Sequence, residues 1–77
     1  MPHINVKLTP GRSEQQKTRL AEPIVKDVVA TLNSDDDSVS VAIEEVNPED
    51  WVEKVYKPDI AAHWGQLYQE PGYQPRG

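Results

Sequence analysis

The chain has 77 residues, contains no cysteine and carries a formal net charge of −5. These values exclude disulfides and argue against a nucleic-acid-binding surface, which needs clustered Lys and Arg. So short a domain buries only about 60% of the surface that the unfolded chain exposes. Its two histidines, His3 and His63, match no common spacing of zinc ligands. We expect one domain over residues 1–77, supported by oligomerisation, with no metal and no cofactor. With no membrane span and no signal-peptide pattern, we expect a cytoplasmic protein.

The first 32 residues predict a strand followed by a helix. Apolar residues alternate with polar ones over residues 2–8, as is typical of a half-buried strand. Pro10 and Gly11 then supply turn chemistry, and Ser13 with Gln16 has the form of a capping box that starts a helix. Apolar residues recur about every four positions along that helix and form one stripe, at Leu20, Ile24, Val28 and Leu32.

The rest of the chain predicts a second strand and a helical extension. A polar loop over residues 33–37 precedes the strand, which carries Val39, Val41 and Ile43 on one face. Asn47 and Pro48 are typical of the N-cap and first position of a helix. We expect Pro58 to interrupt this helix and to start another that runs to about Gln69. Residues 70–77 are expected to form a loose tail or docking arm.

Two strands joined by one helix predict a β-α-β protomer of the α/β (α+β) class. A crossover of this length makes the strands parallel. A two-stranded sheet covered by one helix leaves strand edges and apolar surface exposed. Pairing with a second copy would cover both. The sequence therefore predicts a homodimer with a four-stranded sheet across it.

Proline at position 2 is the most informative residue for chemistry. Initiator methionine is commonly removed before a small residue, and its removal here would make Pro2 a secondary amine. An α-amino group has a pKa of about 7.7–8.0 in model peptides, and burial in apolar surroundings lowers it. A neutral amine can accept a proton and return it elsewhere. The alternative is that Met1-Pro2 is a start with no chemistry attached, as in many proteins.

Arg12 is the second candidate site residue. It lies between the predicted first strand and the N-terminus of the predicted helix. Helix N-termini attract anions, and the guanidinium fork binds a carboxylate through two hydrogen bonds. Taken alone, an arginine at such a place is more often an ordinary surface residue of a loop.

These motifs, taken in order, resemble the 4-oxalocrotonate tautomerase family. Pro2 heads a short strand, residues 11–15 open a helix, and residues 38–46 form a second strand. Three further motifs resemble the longer bacterial branch of the family, of the PptA type: Asn33-Ser34, residues 48–51 and Pro71-Gly72-Tyr73. The resemblance covers nearly the whole chain, and the order and spacing of the motifs together are specific.

The resemblance implies catalysis of keto–enol or double-bond shifts next to a carbonyl group. In that family the N-terminal proline moves the proton, which maps onto Pro2. An arginine that holds the substrate carboxylate or polarises its carbonyl maps onto Arg12. An aromatic wall of the pocket maps onto Trp51, which could equally be a plain core tryptophan. A second family arginine falls on Ser40, and the loss of that contact argues against the dicarboxylate substrate of the founding enzyme.

The length of the first strand indicates where the site lies. Pro2 starts this strand and Arg12 follows its far end, so six residues at about 3.3 Å each separate them by roughly 20 Å. No arginine side chain spans that distance. If two protomers pair with their first strands antiparallel, Arg12 of one chain lies beside Pro2 of the other. The active site is therefore expected to be shared between the subunits of a homodimer.

Two functions remain open from the sequence. The first is a tautomerase that acts on a small carbonyl acid, with the Pro2 amine as general base and acid. The alternative is a non-catalytic dimeric module on the same fold that binds a ligand or a protein. The alternative gains weight if Met1 stays attached, because the Pro2 nitrogen is then a non-basic amide.

Overall fold

The computed structural model describes residues 1–73, which form two strands, one long α-helix and shorter helical segments. Strand β1 spans His3–Leu8, helix α1 spans Glu14–Leu32 and strand β2 spans Ser40–Glu45. The chain divides into two compact units, Met1–Glu45 and a second that starts at Val46. The element order confirms the predicted β-α-β protomer with its helical extension. The single domain over residues 1–77 and the four-stranded sheet of a dimer stay predictions.

Strands β1 and β2 pair in parallel, with His3 opposite Ser40 and Leu8 opposite Glu45. Exposed and half-buried residues alternate at the start of both strands, as the hydrophobic pattern predicts. The sheet has two strands, so within the described residues each strand keeps one edge without a strand partner. Such edges are available for pairing with another chain.

Helix α1 begins with the predicted capping box. The Ser13 hydroxyl accepts a hydrogen bond from the Gln16 backbone N–H at 3.1 Å, and the Gln16 side chain accepts one from the Ser13 N–H at 2.9 Å. The helix ends at Leu32, where Asn33 adopts a left-handed conformation with φ of 55°. Pro23 lies inside the helix and is exposed. The local cap chemistry therefore places the N-cap of α1, Ser13, directly after Arg12.

Lys17 forms ion pairs that link the beginning of α1 to the end of β2. Its Nζ lies 3.2 Å from Glu14 Oε1 and 3.3 Å from Glu45 Oε1. The hydrogen bond to Glu14, together with one to Glu45, raises the pKa of the Lys17 ammonium above its ordinary value. These ion pairs hold the N-terminal end of the helix beside the C-terminal end of the strand.

The apolar side chains of the first unit are only partly covered. None of residues 1–45, all of which the structure describes, is buried. Leu20 and Leu32, at the two ends of the apolar stripe, are 41% and 60% exposed. Because burial of apolar surface is the dominant favourable term in folding, this unit would be stabilised by a partner surface.

The second unit differs from the prediction at Pro58. The chain forms a 3₁₀ turn over Pro48–Asp50, a π-helix over Val52–Ile60 and a 3₁₀ segment over Ala61–Gln66. The π-helix continues through Pro58, so the predicted interruption is wrong. A proline ring clashes with the carbonyl four residues earlier in an α-helix, and the wider turn of a π-helix accommodates the ring.

The helical extension ends at Gln66, three residues before the predicted end, and residues 67–73 contain neither helix nor strand. Part of the predicted tail over residues 70–77 can be described, whereas residues 74–77 lie outside the described residues. Among residues 1–73, no helix has both the length and the apolar character needed to cross a membrane.

Candidate active site

Pro2 lies directly before β1 and is held by the second strand. Its carbonyl oxygen accepts a hydrogen bond from the Ser40 backbone N–H at 3.2 Å. Pro2 is half-buried, whereas Met1 before it is fully exposed. The backbone of the predicted catalytic residue is thus fixed at one end of the sheet, and the residue that precedes it projects into solvent.

A side-chain contact that the sequence did not predict joins the two strands at this end of the sheet. His3 Nδ1 and Ser40 Oγ are joined by a hydrogen bond of 2.7 Å. The two residues occupy opposite positions in the parallel register. Both lie on the polar face of their strands, and this shared position was the only signal in the sequence. Ser40 therefore binds the backbone of Pro2 and the imidazole of His3 at the same time.

Arg12 lies where the sequence predicts, in the turn between β1 and α1. It directly precedes Ser13, the N-cap of the helix, and its side chain is exposed. The turn depends on Gly11, whose φ of +126° lies in a region that side chains with a Cβ rarely adopt. This backbone conformation directs the chain from the strand end into the helix, with Arg12 at the positive end of the helix dipole.

We expect Gly11→Ala to lower the free energy of unfolding by about 1–3 kcal/mol, because alanine is strained at this φ. No atom lies within 4 Å of the Cβ that alanine would add, so the loss would report backbone strain and not a clash. Urea unfolding monitored by circular dichroism measures this change in the free energy of unfolding. Gly65→Ala is the matched control, since its Cβ also meets open space and its φ lies outside that region. Equal stability of both variants would contradict the prediction.

One chain does not bring Pro2 and Arg12 together. Pro2 precedes the first residue of β1, and Arg12 follows its last residue, Leu8, by four positions. The six residues of the strand span roughly 20 Å. Two residues with the predicted roles in one reaction therefore lie at opposite ends of the same strand.

Trp51 lies in the second unit, at the N-cap of the π-helix, and is half-buried. Its indole N–H donates a hydrogen bond of 2.9 Å to the hydroxyl of Tyr73. The Tyr73 ring in turn packs against Tyr56, with centroids 5.9 Å apart and planes at 50°. Neither tyrosine had a role predicted from the sequence; for Tyr73 the signal was the Pro71-Gly72-Tyr73 motif. Trp51 thus belongs to a three-residue aromatic cluster: Trp51, Tyr56 and Tyr73.

Comparison with known proteins places the chain in a family. Residues 2–55 match the family model described as tautomerase enzyme. A probable tautomerase of Xylella fastidiosa is 42% identical over 73 residues, which cover 95% of this chain and 89% of that protein. Tautomerase PptA of an Enterobacter species is 39% identical over 74 residues, or 95% of this chain and 97% of that protein.

A solved structure with a similar fold is TomN, a 4-oxalocrotonate tautomerase homologue in the tomaymycin biosynthetic pathway. It is 38% identical, with a TM-score of 0.62, over 65% of this chain and 77% of that one. These likenesses confirm the resemblance found in the motifs and indicate an isomerase-type enzyme. The chain therefore belongs to the tautomerase family.

Proposed function

We propose that the protein is a tautomerase that moves a proton next to the carbonyl group of a small carbonyl acid. The Pro2 amine, freed by removal of Met1, is the general base and acid. The observation that carries this proposal is the place of Pro2, which begins the match to the family and lies at the head of β1. The exposure of Met1 supports it, because an aminopeptidase can reach that residue.

The reaction needs one group that both takes and gives a proton. In the enol-to-keto direction, the neutral Pro2 amine removes the proton from the enol hydroxyl, and that oxygen's electron pair forms the carbonyl bond. The C=C pair then takes a proton at the neighbouring carbon from the Pro2 ammonium. The amine is regenerated, so atoms and charge balance with no cofactor. Such proton transfer typically contributes about 10²–10⁴-fold to a rate.

Arg12 and Trp51 would hold the substrate during this transfer. The guanidinium of Arg12 can bind a substrate carboxylate through two hydrogen bonds, beside the positive end of α1. The Trp51 ring would form an apolar wall. Apolar surroundings disfavour the charged amine and so keep Pro2 neutral and able to act as a base.

The active site would be shared between two chains of a homodimer. Pro2 and Arg12 lie at opposite ends of β1, so antiparallel pairing of two β1 strands would bring each Pro2 beside the partner's Arg12. The strand edge that has no strand partner among residues 1–73 and the partly covered apolar residues of the first unit support such pairing. The result would be the four-stranded sheet expected from the sequence.

We expect the kcat/KM of the protein lacking Met1 to rise with pH and then level off, because only the neutral Pro2 amine accepts a proton. The pKa that governs this rise should be at or below the value of about 7.7–8.0 for α-amines in model peptides. Titration of ¹⁵N-labelled Pro2 by NMR measures that pKa directly. Intact mass from the native host is the control for Met1 removal. A rate that falls as pH rises would contradict the neutral Pro2 amine as the base. A retained Met1 would favour the non-catalytic binding module.

A further inference from the structure

The Pro71-Gly72-Tyr73 motif brings residues 67–73, here called the C-terminal segment, back to the start of the π-helix. Tyr73 lies 22 residues after Trp51 in the chain, yet its hydroxyl accepts the indole N–H at 2.9 Å. An indole has only this one donor and no acceptor, so its polar end is fully used by Tyr73. The hydrogen bond therefore fixes which edge of the Trp51 ring faces the C-terminal segment.

A second contact holds Tyr73 itself. Its ring packs on Tyr56 at a centroid distance of 5.9 Å, in a tilted geometry of the kind that aromatic pairs prefer. Tyr56 follows Trp51 by five residues. In an α-helix of 3.6 residues per turn, two side chains five residues apart point about 140° away from each other around the axis. The i→i+5 arrangement of the π-helix brings such residues closer to one face. The unusual helix thus allows one tyrosine to contact both aromatic residues.

We propose that Tyr73 is a positioning residue for Trp51, and this inference rests on the proposed function. The Tyr73 hydroxyl accepts the hydrogen bond of the indole N–H, so Trp51 offers the substrate its ring face and no hydrogen-bond donor. A ring face fixed in this way selects a planar, conjugated carbonyl acid, which it contacts by stacking. The C-terminal segment therefore influences substrate binding without touching the reacting atoms.

The test uses a protein in which Trp51 is the only tryptophan. The chain has two tryptophans, and Trp64→Phe removes the other one, which is 42% exposed. In this background Tyr73→Phe deletes one oxygen and keeps the ring. Tyr68→Phe is the matched control, because Tyr68 is fully exposed in the same segment. Circular dichroism checks that both variants are folded.

We expect Tyr73→Phe to shift the Trp51 emission maximum and to raise KM for the enol of phenylpyruvate by about threefold or more, with kcat within about twofold. Tyr68→Phe should change neither. A change in only one of the two readouts, or in none, would overturn the inference. So would an unchanged KM in Trp51→Ala, because there would be no binding contact to position. Trp51 emission is measured without turnover and reports on the Trp51–Tyr73 contact alone. A failure of the proposed function would appear in a different experiment, as an unchanged kcat in the Pro2→Ala variant.

Discussion

Replacing Pro2 by alanine should lower kcat by about a hundredfold or more while KM changes by less than about threefold. Alanine is small enough for Met1 still to be removed, so the variant keeps a terminal amine. That amine is primary, with a different basicity and shape, and it lacks the ring that fixes its direction. The loss should therefore appear in the proton-transfer step, whereas substrate binding through Arg12 and Trp51 persists.

The measurement is steady-state kinetics with the enol of phenylpyruvate, on protein whose intact mass shows that Met1 is absent. Pro23→Ala is a suitable control, because Pro23 is an exposed proline inside α1 and outside the proposed site. It should keep kcat within about twofold of the parent. Unchanged kcat and KM in processed Pro2→Ala protein would remove the proton-transfer role of Pro2, and with it the central proposal.

Mixing two inactive variants should restore activity if the site is shared between chains. Pro2→Ala and Arg12→Ala homodimers each carry one lesion in every site and should be nearly inactive. In the heterodimer, one shared site carries both lesions and the other carries neither. A statistical mixture, in which about half of the dimers are heterodimers, should therefore recover about one quarter of the parent activity.

The reason for this expectation is the length of β1. Six residues separate the Pro2 end from the Arg12 end by roughly 20 Å, so one chain cannot join both residues in one site. If each chain served its own site, every site of the heterodimer would carry one lesion and mixing would restore nothing. Native mass spectrometry should confirm that heterodimers have formed. An inactive mixture that contains them would refute the antiparallel pairing of β1.

The elements of the β-α-β unit could be predicted from the residues alone, because the signals for each of them are local. Alternating polarity defines a strand within six or seven residues, and the Ser13 and Gln16 side chains cap α1 within three residues of each other. The places of Pro2 and Arg12 at the two ends of β1 follow from the same local pattern. For each strand and for α1, the signals that predict the element come from residues that are neighbours in the chain.

The contacts that join distant residues could be identified only in the folded chain. His3 bonds to Ser40 because the parallel register places them opposite each other, and Trp51 bonds to Tyr73 because residues 67–73 return to the π-helix. The break predicted at Pro58 was wrong, because proline interrupts an α-helix but fits the wider π-helix. Register and chain return are set by packing over long chain separations, and no periodicity in the sequence reports them.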